Sequence, residues 1–177
     1  MKGMLEMKET VFFAEEIEFT YPGEQISDNE ISELDDFPGK EDFIDFYTIH
    51  NGLNFAHGAW FFPEKCYNIS LAGDPYITLD FFLSIPVNDD EGLNIEVMKD
   101  LIVEKYDNFE DFVLFHIPFA LDVVENPFWI DIQTGEIKYT DFQVSSNPDD
   151  AITVATSFKA FCKCITNRNF QKYGYNF

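Results

Sequence analysis

Three histidines and three cysteines carry the most versatile chemistry in this chain, and their spacing decides what they could do. His50 and His57 flank Asn51-Gly52, while His116 falls in an apolar stretch. A zinc site needs Cys or His ligands grouped about two to five residues apart on a turn or helix. None of these residues has such a partner. Cys162 and Cys164 are separated by one residue. On a helix their thiols would point about 200° apart, so they cannot close on one metal. Cys162 reads instead as packing beside Phe158 and Phe161. No catalytic, metal or cofactor role is therefore expected at His50, His57, His116, Cys66, Cys162 or Cys164. No Gly-x-Gly pair and no Gly-x-Ser-x-Gly elbow occurs, which removes dinucleotide, phosphate-loop and nucleophile-elbow chemistry. The acidic turn 88–92 hints at a calcium loop. With Gly92 at its sixth position, Val87 and Met98 would stand where the first and last ligands belong. The remaining reactive groups are 33 carboxylates. Glycoside hydrolysis needs two of them at a set separation, but this many acids make chance pairs certain. They read as a solvated surface.

Composition narrows the class. The 177 residues hold 33 acids and 11 bases, for a net charge of -22, and 18% are aromatic, including 21 Phe. Acidic disordered chains are poor in aromatics, so this one folds. Phosphate binding needs a basic face, so direct nucleic-acid contact is not expected, and anionic membranes would repel the chain. Three cysteines are too few for a disulfide scaffold at this length. The opening segment is acidic, without the apolar core of about 7–15 residues that marks a secretory signal, and no apolar run approaches the roughly 18 needed to span a bilayer. The expectation is a cytoplasmic protein whose cysteines stay reduced. The charge is uneven: residues 151–177 contain no acid and four bases, Lys159, Lys163, Arg168 and Lys172. This basic end is expected to sit against the acidic body.

The elements follow from periodicity. Residues 10–21 read as a strand or extended arm. A short helix is expected over 29–36, capped by Ser27 or Asp28. A second begins near Pro38, carries Phe43, Phe46, Tyr47 and His50 on one face, and ends at Asn51-Gly52. Strands are expected over 59–62, 67–71, 76–85 and 112–119. A helix over 95–106, capped by Asn94, turns Met98, Leu101, Ile102 and Tyr106 inward. Residues 128–132 and 136–142 form a hairpin around Gly135. Ser157 caps a last helix carrying Phe158, Phe161, Cys162 and Ile165. The result is one α+β domain, a twisted antiparallel sheet flanked by helices, with a core at about 28–166, an N-terminal arm at 1–27 and a basic tail at 167–177.

Three stretches carry a resemblance. Phe37-Pro38, then Phe43-Ile44-Asp45-Phe46-Tyr47 and Asn51-Gly52, resembles the opening helix of the SUKH superfamily. Ile117-Pro118-Phe119-Ala120, Phe128-Trp129-Ile130-Asp131 and Thr134-Gly135-Glu136-Ile137 are similar to its central strands. Residues 155–165 are similar to its closing Ser-Phe helix. Where the family has a Gly-Asp turn before the aromatic strand, this chain reads Val123-Val124-Glu125-Asn126-Pro127. The superfamily includes fungal regulators of glucan synthesis and many bacterial immunity proteins. The resemblance implies the same α+β fold and no enzyme activity. In bacteria it implies an immunity protein that neutralises a toxin, often a nuclease.

The charge agrees independently with a basic partner, since a nuclease cleft must attract a polyanion and an acidic protein can cap it with electrostatically steered association. Expected partner-binding residues are Asp42, Asp45, Asp80, Asp89, Asp90, Asp122 and Glu125, with Trp60 or Trp129 as a possible aromatic anchor. Two other readings stand beside this one: an intracellular regulatory module without a toxin partner, and an acidic hydrolase on an unfamiliar fold.

Overall fold

The computed structural model describes residues 7–9, 11–21, 25–32, 34–69, 71, 73–87 and 92–168. Strands β1 (Met7–Glu9), β2 (Ile17–Tyr21), β3 (Leu53–Phe61), β4 (Ile77–Phe82), β5 (His116–Leu121), β6 (Pro127–Asp131), β7 (Ile137–Tyr139) and β8 (Ile152–Ala155) lie side by side in chain order. Each is antiparallel to the next, and β9 (Ile165–Asn167) returns to pair antiparallel with β3. Helices α1 (Asp28–Ser32), α2 (Lys40–Tyr47), α3 (Pro63–Tyr67), α4 (Ile95–Lys105), α5 (Glu110–Leu114) and α6 (Phe158–Lys163) flank the sheet. The fold is the expected α+β arrangement. Within the segment expected to be an arm, β2 joins the sheet through Phe19↔Phe55.

Local chemistry accounts for the boundaries. The Asn94 carboxamide oxygen accepts from the Glu96 and Val97 amides at 3.0 Å each and starts α4, while Ser157 Oγ accepts from Ala160 N to start α6. Both caps were legible in the sequence. α2 stops at Tyr47, four residues before the expected Asn51-Gly52 stop. Asn51 is instead used for tertiary pairing: its side chain donates to Ile85 O and accepts from Ile85 N, as a strand backbone would. Gly52, at φ 86, lies where a Cβ would press on the Phe82 and Ser84 backbone.

Three expected elements are corrected. No strand forms among the described residues of the expected 67–71: Tyr67 ends α3 (63–67), because Pro63 at its first position favours a helix start and Asn68 closes it at φ 53. Phe112 to Leu114 belong to α5, and the strand begins only at His116. Ile165 leaves the last helix for β9.

The cysteine expectation is also corrected: Cys66 and Cys164 form a disulfide, and Cys162 is buried and takes no part in it. Pairing of Phe61 with Ile165 brings the end of α3 to the end of α6, leaving their Cα atoms 6.2 Å apart. That distance is within disulfide reach. Nothing in the sequence spacing points to a partner 98 residues away.

The core is aromatic. Phe43, Phe46 and Tyr47 of α2 are fully buried. The Phe46 ring lies 5.0 Å from Phe82, 5.1 Å from Phe12 and 5.4 Å from Phe158, mostly in edge-on contacts. These are favourable ring geometries. The Tyr47 hydroxyl donates to Leu83 O at 2.9 Å, and burial pushes this phenol well above its ordinary range. At the β6–β7 turn Gly135, at φ 73, packs so closely that any Cβ there would overlap the Pro38 carbonyl. The turn is thereby keyed to the entry of α2.

Removing the Phe46 ring deletes contacts to β4, α6 and the N-terminal segment at once. Phe46→Ala is expected to cost about 3–5 kcal/mol, read as the shift in a urea unfolding midpoint at unchanged slope.

Candidate functional site

Two grooves lie side by side around a buried polar network. Asp122 follows β5 and is 4% exposed. Its Oδ1 accepts from Val124 N at 2.9 Å and Asn126 N at 2.8 Å. Its Oδ2 accepts from Tyr139 OH at 2.8 Å and Asn126 Nδ2 at 3.1 Å. Four donors compensate a carboxylate that burial would otherwise penalise severely. Asn126 carries the network on: its Oδ1 accepts from Phe142 N at 3.0 Å. Burial, and then the Asp122 charge, push the Tyr139 phenol far above its ordinary range. That hydroxyl is a donor held in place. Inside the turn, Glu125 takes φ 67, a left-handed conformation uncommon outside glycine.

The first groove, about 540 Å³, lies where the sheet curls until β4 and β8 line one concavity. Its lining includes Asp74, Asp122, Asp141 and Asp150 and, among the described residues, no Lys, Arg or His. Asp150 accepts from Ser145 Oγ at 2.6 Å, and Asp141 accepts from Gln143 N at 3.0 Å. The second groove, about 710 Å³, runs between α4 and the 122–126 turn and is mainly apolar. Gln143 lines both.

The expected site residues fall in different places. Asp80 is exposed on β4. The Phe81↔Leu121 pairing sets it opposite Asp122. Glu125 is exposed and lines the apolar groove. Asp42 and Asp45 lie on α2, outside both grooves, and Asp42 is 2.8 Å from Lys159 Nζ. This ion pair holds the Lys159 ammonium above its ordinary range. Lys163 Nζ, also in the basic end, donates to Phe13 O at 3.0 Å. Asp89, Asp90 and Lys172 lie outside the described residues.

Three site expectations are corrected. Asp122 is no steering charge, because its oxygens are consumed by internal donors and it holds a groove wall. Trp129 is fully buried between Phe109 and Phe112, with its Nε1 donating to Thr140 Oγ1 at 3.1 Å. Trp60 is 1% exposed and packs on Tyr76 at 4.9 Å. Neither can anchor a partner. Trp60 of β3 is covered by Tyr76 and Phe62, and Trp129 is buried because both faces of β6 are covered. Phe128 meets Phe161 of α6 on one face, while Trp129 meets Phe112 of α5 on the other. Alternation therefore separates two interiors here instead of an inside from an outside.

Sequence reasoning missed Asp74, Asp141 and Asp150, since nothing distinguishes them among 33 acids. It also missed Leu101, which is 48% exposed although the helical stripe turns it inward.

His116 stacks on Phe112 at 3.7 Å, with Nδ1 2.8 Å from Phe112 O and Nε2 3.7 Å from Asp131 Oδ2. Burial lowers its pKa despite that carboxylate. Among the described residues no group of three or more His, Cys, Asp or Glu is placed to hold a metal, and no helix is long and apolar enough to cross a membrane. No family model, curated protein or solved structure matches the chain.

Partial burial, and then the Asp122 carboxylate, raise the pKa of Asp80. A raised carboxyl pKa means that the folded state resists this charge, so the cost is present at neutral pH and absent once Asp80 is protonated. Asp80→Asn is expected to raise the Tm modestly at pH 7, as suits a water-screened group. The gain should vanish below about pH 4. Thermal melts at both pH values check this.

Proposed function

We propose that this chain is a non-enzymatic protein-binding domain that neutralises a basic partner, as the resemblance to bacterial immunity proteins implies, and that it works in the cytoplasm. The observation that carries the reading is the acidic groove: beside the internally satisfied Asp122 its lining holds Asp74, Asp141 and Asp150 and, among the described residues, no Lys, Arg or His, on a chain of net charge -22. Such a surface concentrates a cationic protein and speeds its capture, which suits a protein that must intercept a nuclease-type toxin before it cuts. The same field disfavours a nucleic acid or an anionic membrane as the direct partner. The chemistry of the network supports binding over catalysis. Asp122 and Tyr139 are buried polar residues that line the groove, and both are committed internally: Asp122 accepts from Tyr139 and two backbone amides, and the Tyr139 hydroxyl accepts from Asn126 Nδ2.

The test is association with a basic nuclease-type domain, sought among the products of neighbouring genes. Association followed by stopped-flow should slow several-fold between about 0.01 and 0.15 M salt, as the Debye length falls from about 30 to 8 Å. The charge reversals Asp74→Lys and Asp150→Lys should slow it further and leave the thermal melt intact. Association indifferent to both overturns the acidic-groove reading. A salt-sensitive partner without toxicity favours the regulatory-module alternative.

The compartment rests on the sequence, and the Cys66–Cys164 bond weighs against it, because cytosolic thiols are kept reduced. Alkylation of protein quenched directly from cells is expected to label all three cysteines if the chain is cytoplasmic. Labelling of Cys162 alone would place it in an oxidising compartment.

A further inference from the structure

We infer that the apolar groove between α4 and the 122–126 turn docks a short helical segment of the basic partner, apolar on one face and flanked by lysine or arginine. The inference deepens the proposed function and rests on it. Its starting point is a helix whose apolar face is wider than the core it packs on. Met98 and Ile102 are 7% and 3% exposed, as an inward stripe requires, but Leu101 beside them is 48% exposed. Leu93 and Val124, from the segments on either side, are 41% and 50% exposed and line the same groove. Contiguous apolar surface with a polar rim marks a place where another molecule sits.

The floor is rigid. Tyr106 stacks on Phe142 at 4.3 Å with the rings 13° from parallel. The Phe142 amide is tied to Asn126, hence to the Asp122 network. A preformed floor lowers the cost of ordering on binding.

Charge selects the occupant. Among the described residues, Glu104 and Glu125 line the groove against one cation, Lys105, whose ammonium lies 5.1 Å over the Tyr106 ring. Gln143 also lines the acidic groove, so the two grooves adjoin. An occupant must therefore bury apolar groups centrally and place positive charge at its ends. Apolar anchors one helical turn apart, with Lys or Arg on either side, meet both demands at once.

The probe is a fluorescein-labelled peptide of about four helical turns with Leu on one face and Lys elsewhere. A second peptide of equal charge has Ser in place of every Leu. Binding to the intact chain is read by fluorescence anisotropy and located by backbone amide shifts. The Leu peptide is expected to bind at least about tenfold more tightly than the Ser peptide, as apolar anchors dominate such contacts. Its shifts should fall on α4 and residues 122–126. Leu101→Glu and Val124→Glu, both at half-exposed positions, should each abolish the preference, with folding verified by circular dichroism. Leu101→Ala should weaken it without adding charge.

Equal binding of the two peptides, no binding of the Leu peptide, or a preference that survives Leu101→Glu overturns the docking inference. Equal binding that Asp74→Lys and Asp150→Lys abolish removes the apolar dock while leaving the acidic-groove reading in place. A Leu preference that is lost in Leu101→Glu but indifferent to salt and to those reversals supports the dock and counts against the basic-partner reading.

Discussion

A buried carboxylate that must find donors governs the grooved end of this molecule. Asp122 sits where β5 ends, and its two oxygens receive two backbone amides of the following turn, one carboxamide and one phenol. Those donors come from the 122–126 turn and from β7, so satisfying one charge fixes both segments relative to each other. Everything said about the two grooves depends on that. The turn forms one wall of the apolar groove, and Tyr139 and Asp122 line the acidic one. A carboxylate left with fewer partners would be expelled toward water, and the shared wall would go with it.

The aromatic core solves a different problem. A sheet of short, curled strands offers little flat area for helices to cover. Phenylalanine fills the irregular space: Phe158 of α6 lies within 5.1–5.5 Å of Phe43, Phe46 and Phe119, joining both helices to β5. Aromatic rings make directional edge contacts over a large buried area, so few residues set the helix positions. The Gly135–Pro38 contact fixes the same helix from its other end. The frame thus leaves α2 little freedom.

Much of the frame was legible beforehand because its signals are local. Asn94 and Ser157 announce helix starts, the spacing of Phe43, Phe46 and Tyr47 announces a buried face, and Gly135 announces a hairpin. What was hidden is non-local. Asn51 looked like a helix stop, yet its carboxamide serves Ile85 across the sheet. Trp60 and Trp129 alternate as half-exposed strand residues would, and only the coverage of both sheet faces buries them. Cys66 and Cys164 meet because β9 comes back to β3. The grooves share that origin: their acids and leucines have ordinary neighbours in sequence and become a surface through the curl of the sheet.

The disulfide has a topological consequence. It joins the end of α3 to the end of α6, so β4 through β8, α4, α5 and both grooves belong to one covalent loop of the chain. A single protease cut inside that loop, between residues 66 and 164, yields two pieces that still travel as one molecule until the bond is reduced. A cut outside it releases a terminus. Damage near the grooves is therefore survivable as an assembly, and before reduction its mass differs from that of the intact chain only by the water that hydrolysis adds.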